Sequence, residues 1–292
     1  MAVVRRAHEE DIEAICTLLH TKMNSRIPIE RWRQLMTYTW LEPKPDFGRV
    51  VVSKGQILGF CGMVYSDRLI GDAVQGYRKE RMVSMSSWYL DKSLRGQGLG
   101  REMLLSSIED PALTYATLTN SKKPLAIVEG LGFKKLEDHR YVWSRSNHYD
   151  FELPIYDDPA DIREQLAPEL VQIVDDMQNM PVMPLLVGAS DRQALIFLSI
   201  KRKKDDVLWF DLMYSSDLEM FSNNAQSLAN SLLPNAGKSA VLAADGRFVR
   251  QPSRGAVRES LPVARYYVSQ RVEPYEIDHL YSELQLLDLK LD

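Results

Sequence analysis

The chain has 292 residues, 45% of them apolar and 26% charged, enough to bury the core of one large domain or two ordinary ones. A net charge of −4 and a pI near 5.8 leave no basic footprint for nucleic acid or for an anionic membrane surface. The two cysteines, Cys16 and Cys61, both in apolar surroundings, make neither a disulfide framework nor a metal-ligand spacing, and fit a reducing compartment.

The opening MAVVRRAHEEDIEAIC lacks an uninterrupted apolar run, so it does not read as a secretory signal. The longest apolar runs, such as Ala194 to Ile200, are strand-sized; no membrane insertion and a cytoplasmic location are expected. Val3 to Arg6 is a short β-like start. From His8 to Lys22, Ile12, Ile15, Leu18 and Leu19 share a helical face, with Glu9, Glu10 and Asp11 favouring the first turn. A second helix is expected over Ile29 to Tyr38, and prolines break the chain between Leu41 and Gly48. Two β-rich runs then flank a tight hairpin at Lys54-Gly55. A further hairpin is expected over Ser66 to Ala73, and a strand from about Arg81 to Leu90. After a glycine bend come a helix (Gly98 to Glu109), a strand (Leu113 to Thr119), a helix (Lys122 to Leu131), and FKKL with RYVW as a closing hairpin.

Between Ser144 and Pro159 the pattern turns polar and proline-punctuated, which places a domain boundary there. The second half is predicted to open with one helix, Ala160 to Met177. Three strand-like runs follow (PLLVGA, ALIFLSIKR, VLWFDLMY), then a helix over Leu218 to Leu233 and a strand over Ser239 to Ala243. A loop carrying Arg247, Arg250, Arg254 and Arg258 reads as solvated or as a contact for an acidic acceptor, before a short strand ARYYVSQ. The order of elements echoes the first half, which suggests an internal duplication. Where the first half has Arg95 to Gly100, however, the second has Ser215 to Asn224, with Asp217, Glu219 and no glycine; it is not expected to hold the same anion.

In SWYLDKSLRGQGLGREMLLSSI, Gly96, Gly98 and Gly100 lie between Arg95 and Arg101, after a strand and at the start of a helix. Bare amides converging at a helix N-terminus make an anion site, and the arginines add charge-assisted hydrogen bonds. A phosphate loop of the Gly-Lys-Ser/Thr type fails, because Arg101-Glu102 follows Gly100. A dinucleotide fingerprint fails on spacing and position; a turn that binds nothing is the plain alternative.

Arg95-x-x-Gly98-x-Gly100, behind Trp88-Tyr89-Leu90, resembles the pyrophosphate-binding signature of the GNAT superfamily of N-acetyltransferases. VVRRAHEEDIEAICTLL is similar to that family's first strand and helix, and QILGFCGMVY to its third strand. ALTYATLTN, with the next helix and GLGFKK, is similar to its fifth strand, fourth helix and closing turn, so the resemblance spans residues 1–145. It implies an α/β (α+β) fold with a mixed, mostly antiparallel twisted sheet flanked by helices over residues 1–148. A smaller, degenerate GNAT-like α/β domain would follow over 149–292. It implies an acyl-CoA co-substrate, usually acetyl-CoA, with no metal. The cofactor contacts would be Trp88, Tyr89, Leu90, Arg95, Gly96, Gln97, Gly98, Leu99, Gly100 and Arg101, with Asn120 beside the position of the family's frequent asparagine. A main-chain N–H near the strand's splay would polarise the thioester carbonyl, which an amine or hydroxyl attacks directly.

The family's tyrosine acid falls at Val128, and the usual carboxylate on the fourth strand is replaced by serines in VSMSSWYL. Ser87 and Tyr89 are the remaining polar candidates for catalysis, on the face opposite Trp88 by period two. Asp67, Asp72 and Glu80 are indirect candidates for a base. The five histidines show no ligand spacing. Trp32 and Trp40 read as core anchors or as a stacking platform for a sugar. Their segment, with SSWYL and the tandem arrangement, resembles GNAT-like proteins of bacterial surface-polysaccharide synthesis, and that resemblance implies an amino sugar or surface-polysaccharide precursor as small-molecule acceptor. The competing reading is a non-catalytic acyl-CoA sensor or scaffold; oligomeric state is left open.

Overall fold

The computed structural model describes residues 1–72, 76–121, 125–146, 153–189, 192–234 and 239–291. Strand β1 (Val3–Arg6) pairs with β2 (Gly48–Ser53), and β2 with β3 (Gln56–Asp72). The chain between β1 and β2 forms α1 (Ile12–Leu18), continued by a π turn to Met23, and α2 (Ile29–Thr37). Lys54 and Gly55 close the β2–β3 hairpin with φ of 50° and 74°, the left-handed pair that a two-residue turn between twisted strands requires.

Where a hairpin is expected at Ser66 to Ala73, Ser66 to Asp72 is uninterrupted strand, and Ala73 lies outside the described residues. β3 runs on to Asp72 and pairs along its length with β4 (Gly76–Leu90). The polar residues that imitate a turn are cross-strand partners: Asp67 lies opposite Arg81 and is bonded to its guanidinium at 2.7 Å. Helix α3 (Leu99–Ser107) follows the glycine bend, then β5 (Thr114–Thr117) and α4 (Leu125–Glu129). The closing hairpin is also corrected, to one strand, β6 (Lys134–Trp143). Its polar middle keeps strand form because the Glu137 carboxylate accepts from the amides of Asp138 and His139.

In the second half come β7 (Ile155–Tyr156), α5 (Pro159–Gln165) and α6 (Pro168–Asp176). The single helix expected there is broken ahead of Pro168, which cannot donate to the preceding turn. Strands β8 (Met183–Ala189), β9 (Arg192–Arg202) and β10 (Leu208–Ser215) lead to α7 (Leu218–Leu232) and β11 (Ala240–Asp245). The last strand, β12 (Val257–Val268), begins inside the stretch read as a basic loop, and a short helix, α8 (Glu283–Leu286), follows it.

The twelve strands among the described residues form one sheet, in the order β1-β2-β3-β4-β5-β12-β6-β11-β10-β9-β8-β7. Among the described residues β4 with β5 and β10 with β11 are the parallel pairs, each joined through a helix, α3 or α7. The halves are interleaved at the centre. β12 lies between β5 and β6, and β6 pairs in turn with β11. One hydrophobic cluster accordingly mixes Met82, Ala116 and Leu136 with Leu195, Phe197 and Leu284.

Candidate active site

β4 and β5 are hydrogen-bonded only where Met82, Val83 and Ser84 face Thr114, Tyr115 and Ala116. Beyond Ser84, β4 continues to Leu90 against β3 alone, so the two parallel strands part and leave a fork. Inside the fork β4 is bulged. Gly62 pairs with Ser86 and Phe60 with Tyr89, leaving Ser87 and Trp88 opposite the single residue Cys61. Ser87 takes up the extra length at φ 54°, in the left-handed region. The bulge shifts the alternation of faces by one. Tyr89 therefore shares a face with Ser84 and Ser86, a pattern that period two alone does not give.

Past Leu90 the chain makes a short turn, held by Asp91, whose carboxylate accepts from the Ser93 amide at 2.9 Å and the Ser93 hydroxyl at 2.6 Å. Gly96 and Gly98 follow at φ 79° and 82°, and Gly98 caps α3. A Cβ at Gly96 or Gly98 would meet nothing within 4 Å, and at Gly100 only Trp88 and Leu90 side-chain carbons at 3.6 and 3.8 Å. The first turn of α3 is thus an open cradle of main-chain amides at the positive end of the helix dipole. Arg95 flanks it, its Nε bonded to the Leu90 carbonyl at 2.9 Å and its guanidinium 6.0 Å from the Tyr89 ring; Arg101 is exposed on the other side. Gln97 folds back onto the Ser93 carbonyl at 3.1 Å, and Leu99 is buried in the core. Trp88 and Leu90 are half-buried along the fork.

The carboxylate that β4 lacks arrives from elsewhere. Glu283, at the start of α8, is 1% exposed. Its Oε2 accepts from Ser84 Oγ at 2.6 Å and its Oε1 from Thr119 Oγ1 at 2.7 Å. Ser84 is the last β4 residue paired with β5, and Thr119 lies just past β5, so the carboxylate bridges the base of the fork. Burial pushes its pKa up, against the pull of the two hydroxyl donors. Sequence reasoning missed it because 199 residues separate it from Ser84. The one local signal is Ser282-x-x-Gln285, a capping box that marks a helix start.

Other candidates make contacts of their own. The Asn120 amide donates to Thr117 and to the Ala264 carbonyl, tying β5 to β12. Asp67 is held below its usual pKa by Arg81, Glu80 is buried beside Arg78 and Arg271, and the Asp72 side chain lies outside the described residues. Val128 is core. Both cysteines are buried, their thiols pushed up to about 11 (Cys16) and about 12 (Cys61) by desolvation. Trp32 is 1% exposed, and Trp40 stacks on Tyr38 and meets Tyr281 edge-on. Of the four arginines read as a loop, Arg247 is in fact buried against Asp245. Among the described residues, Glu137, Asp138 and His139 bring ligand-type atoms within 4.8 Å of one another, but the Glu137 oxygens already accept from three main-chain amides.

The matching position in the second half is closed. Asp217 caps α7 by accepting from the Met220 amide at 2.8 Å, and Arg192 pairs with Asp217 and Glu219, so the helix start is already neutralised. Beyond Asp211, where β10 and β11 part, the His279 amide donates to the Met213 carbonyl at 2.9 Å.

Residues 12–111, which hold α1 to α3, the β4 side of the fork and the glycine cradle, match the model of the Acetyltransferase (GNAT) family. The chain carries a GNAT acetyltransferase domain. Solved structures share the wider fold. A GCN5-related N-acetyltransferase from Anabaena variabilis matches with TM-score 0.55 at 11% identity, over 91% of this chain and 72% of that one. A second, from Kribbella flavida, matches with TM-score 0.53 at 13% identity, over 91% and 70%. A protein of unknown function from Enterococcus faecalis, described as a probable N-acyltransferase, gives 0.56 at 12% identity, over 91% and 72%. No curated protein matches in sequence. The GNAT family and the shared fold support acyl transfer as the general class of reaction. Among the described residues no helix is long and apolar enough to cross a membrane.

Proposed function

We propose that this GNAT domain moves an acyl group, ordinarily acetyl from acetyl-CoA, to a small-molecule amine or hydroxyl by direct attack on the thioester. The observation that carries this reading is the open amide cradle at Gly96–Gly100, placed at the end of a bulged strand that has left its neighbour. The cradle and the two flanking arginines suit a pyrophosphate. The edge of β4 from Trp88 to Leu90, which β5 has left and where Arg95 holds the Leu90 carbonyl, suits the amides of a pantetheine arm, as a strand suits an added strand. At the bulge, the altered backbone frees a main-chain N–H to face a thioester carbonyl as negative charge develops there.

In this reading residues 1–148 hold the donor, and residues 149–292 complete the site through β12 and α8. An amino sugar or polysaccharide precursor keeps no aromatic platform at Trp32, which is buried. A non-catalytic acyl-CoA sensor or scaffold is favoured by one observation, the core valine at position 128; Glu283 at the fork favours the enzyme. Calorimetric titration of acetyl-CoA into the parent and into Gly98→Glu/Gly100→Glu tests the donor site. Binding lost in the variant supports it, and no binding to a folded parent ends it. Release of CoA in the presence of amines separates enzyme from sensor.

A further inference from the structure

An amine that attacks a thioester must shed a proton, and β4 offers no carboxylate between Met82 and Leu90 to receive it. We propose that Glu283 is the proton acceptor, brought by the C-terminal helix α8 to the base of the fork, where it bridges Ser84 of β4 and Thr119 beyond β5. The inference rests on the acyl-transfer reading above and adds the destination of the proton to it.

Two observations carry it. First, Glu283 is buried in contact with two neutral hydroxyls and, among the described residues, forms no ion pair; Arg265 of β12 acts on it from a distance. A carboxylate kept from water without a contacting cation is costly, and a fold that needed only a bridge between two hydroxyls would be served by an amide. Second, the carboxylate is 1% exposed while Ser84, in front of it, is 8% exposed and already points its hydroxyl hydrogen at Oε2. Ser84 and Ser86 stand on one face of β4, with Tyr89 brought to the same face by the bulge. The nucleophile's proton thus has a short route through the Ser84 hydroxyl.

The step balances. The amine nitrogen bonds to the thioester carbon, and the C–S bond breaks with its electron pair on sulfur. The nitrogen's proton passes to Ser84 as Ser84 gives its own to Glu283. The carboxyl then returns that proton to solvent or to the departing thiolate, and the carboxylate is restored.

The test uses the full chain, acetyl-CoA, and three primary amines as probes: glucosamine, spermidine and alanine amide. Glu283→Gln is compared with the parent and with Glu283→Asp, following CoA release from about pH 5 to about pH 9, with acetyl-CoA affinity by calorimetry. The groups touching Glu283 are the hydroxyls of Ser84 and Thr119; the amine probes lose their own proton in this range and give a limb common to all variants, so only an acidic limb present in the parent and absent from Glu283→Gln reports the carboxylate. Expected for Glu283→Gln is a fall in kcat of about 100-fold, loss of that limb, and acetyl-CoA affinity within about twofold of the parent. Glu283→Asp should keep the limb. Should Glu283→Gln not fold, Ser84→Ala, which cuts the relay and leaves the carboxylate on Thr119, should give the same fall. Parent-like rates and pH profile in a Glu283→Gln that binds acetyl-CoA overturn the inference. So does a parent that binds acetyl-CoA and acetylates none of the amines. A parent that does not bind acetyl-CoA overturns the acyl-transfer reading itself, and this inference with it.

Discussion

The Asp245 carboxylate, 2% exposed, accepts from Arg265 Nε at 2.8 Å, joining the last residue of β11 to β12 inside the protein. The same oxygen also receives Arg247, and His279 Nε2 lies 3.0 Å from it. Arg265 reaches on to the Leu118 carbonyl at 2.7 Å, so one buried anion connects the second half to the end of β5. Substituting Asp245→Asn removes the anion that the buried Arg265 and Arg247 share, and leaves Arg247 with the more distant Glu137 carboxylate at 4.0 Å. Breaking such a cluster from one side should cost about 3–5 kcal/mol, read as a lower denaturant midpoint at unchanged slope. A loss below about 1 kcal/mol would mean that water reaches the cluster.

The same cluster sets a pH dependence. Burial, with Arg247 alongside, pushes His279 down to about 3 from an ordinary value of 6.5, and Arg265 and Arg247 hold Asp245 well below the usual carboxylate range despite its burial. Both groups bind more protons unfolded than folded, so stability falls as pH drops, His279 acting between 6.5 and about 3 and Asp245 at the acid end. Asp211 and Glu283, raised by burial, act in the opposite sense as pH rises above the ordinary carboxylate range. The melting temperature of the parent, compared with His279→Gln at matched pH, isolates the imidazole. The slope above about pH 4.5 should flatten in the variant. An unchanged slope there would show that His279 is not kept neutral.

What could be seen in the sequence was local. Arg95 to Gly100 is one bend of contiguous residues, and its meaning depends only on the strand before it and the helix after it. The interleaving of β12 between β5 and β6 is not local: only ARYYVSQ reads as a strand, Val257 to Ser260 falling in the basic loop, and nothing in it names its neighbours. Its course is further hidden by a register shift between Ser260 and Arg265, where Pro262 has no amide to give the ladder. The bulge at Ser87 defeats parity in the same way. Counting by two from Ser87 sets Tyr89 beside it, whereas the extra residue turns Tyr89 to the side of Ser84 and Ser86. Glu283 was invisible for a different reason. A lone acid at a helix start looks like any first-turn acid until the fold brings Ser84 and Thr119 to it.

Asn120 offers the sharpest contrast between a resemblance and a geometry. Its position beside the family's frequent asparagine suggests a contact with CoA. In the structure its side-chain nitrogen has acceptors on three sides: Thr117 O at 3.2 Å, Thr117 Oγ1 at 3.0 Å and Ala264 O at 3.0 Å. Two hydrogens cannot serve a ligand as well without abandoning the join between β5 and β12. Asn120→Ala should therefore lower stability by about 1–2 kcal/mol, as expected when half-buried carbonyls lose their donor. Acetyl-CoA affinity, measured well below the melting temperature, should stay within about twofold of the parent. The reverse pattern, parent-like melting with affinity reduced about tenfold, would show that the amide turns from Ala264 to the donor when CoA binds, and would return Asn120 to the cofactor site.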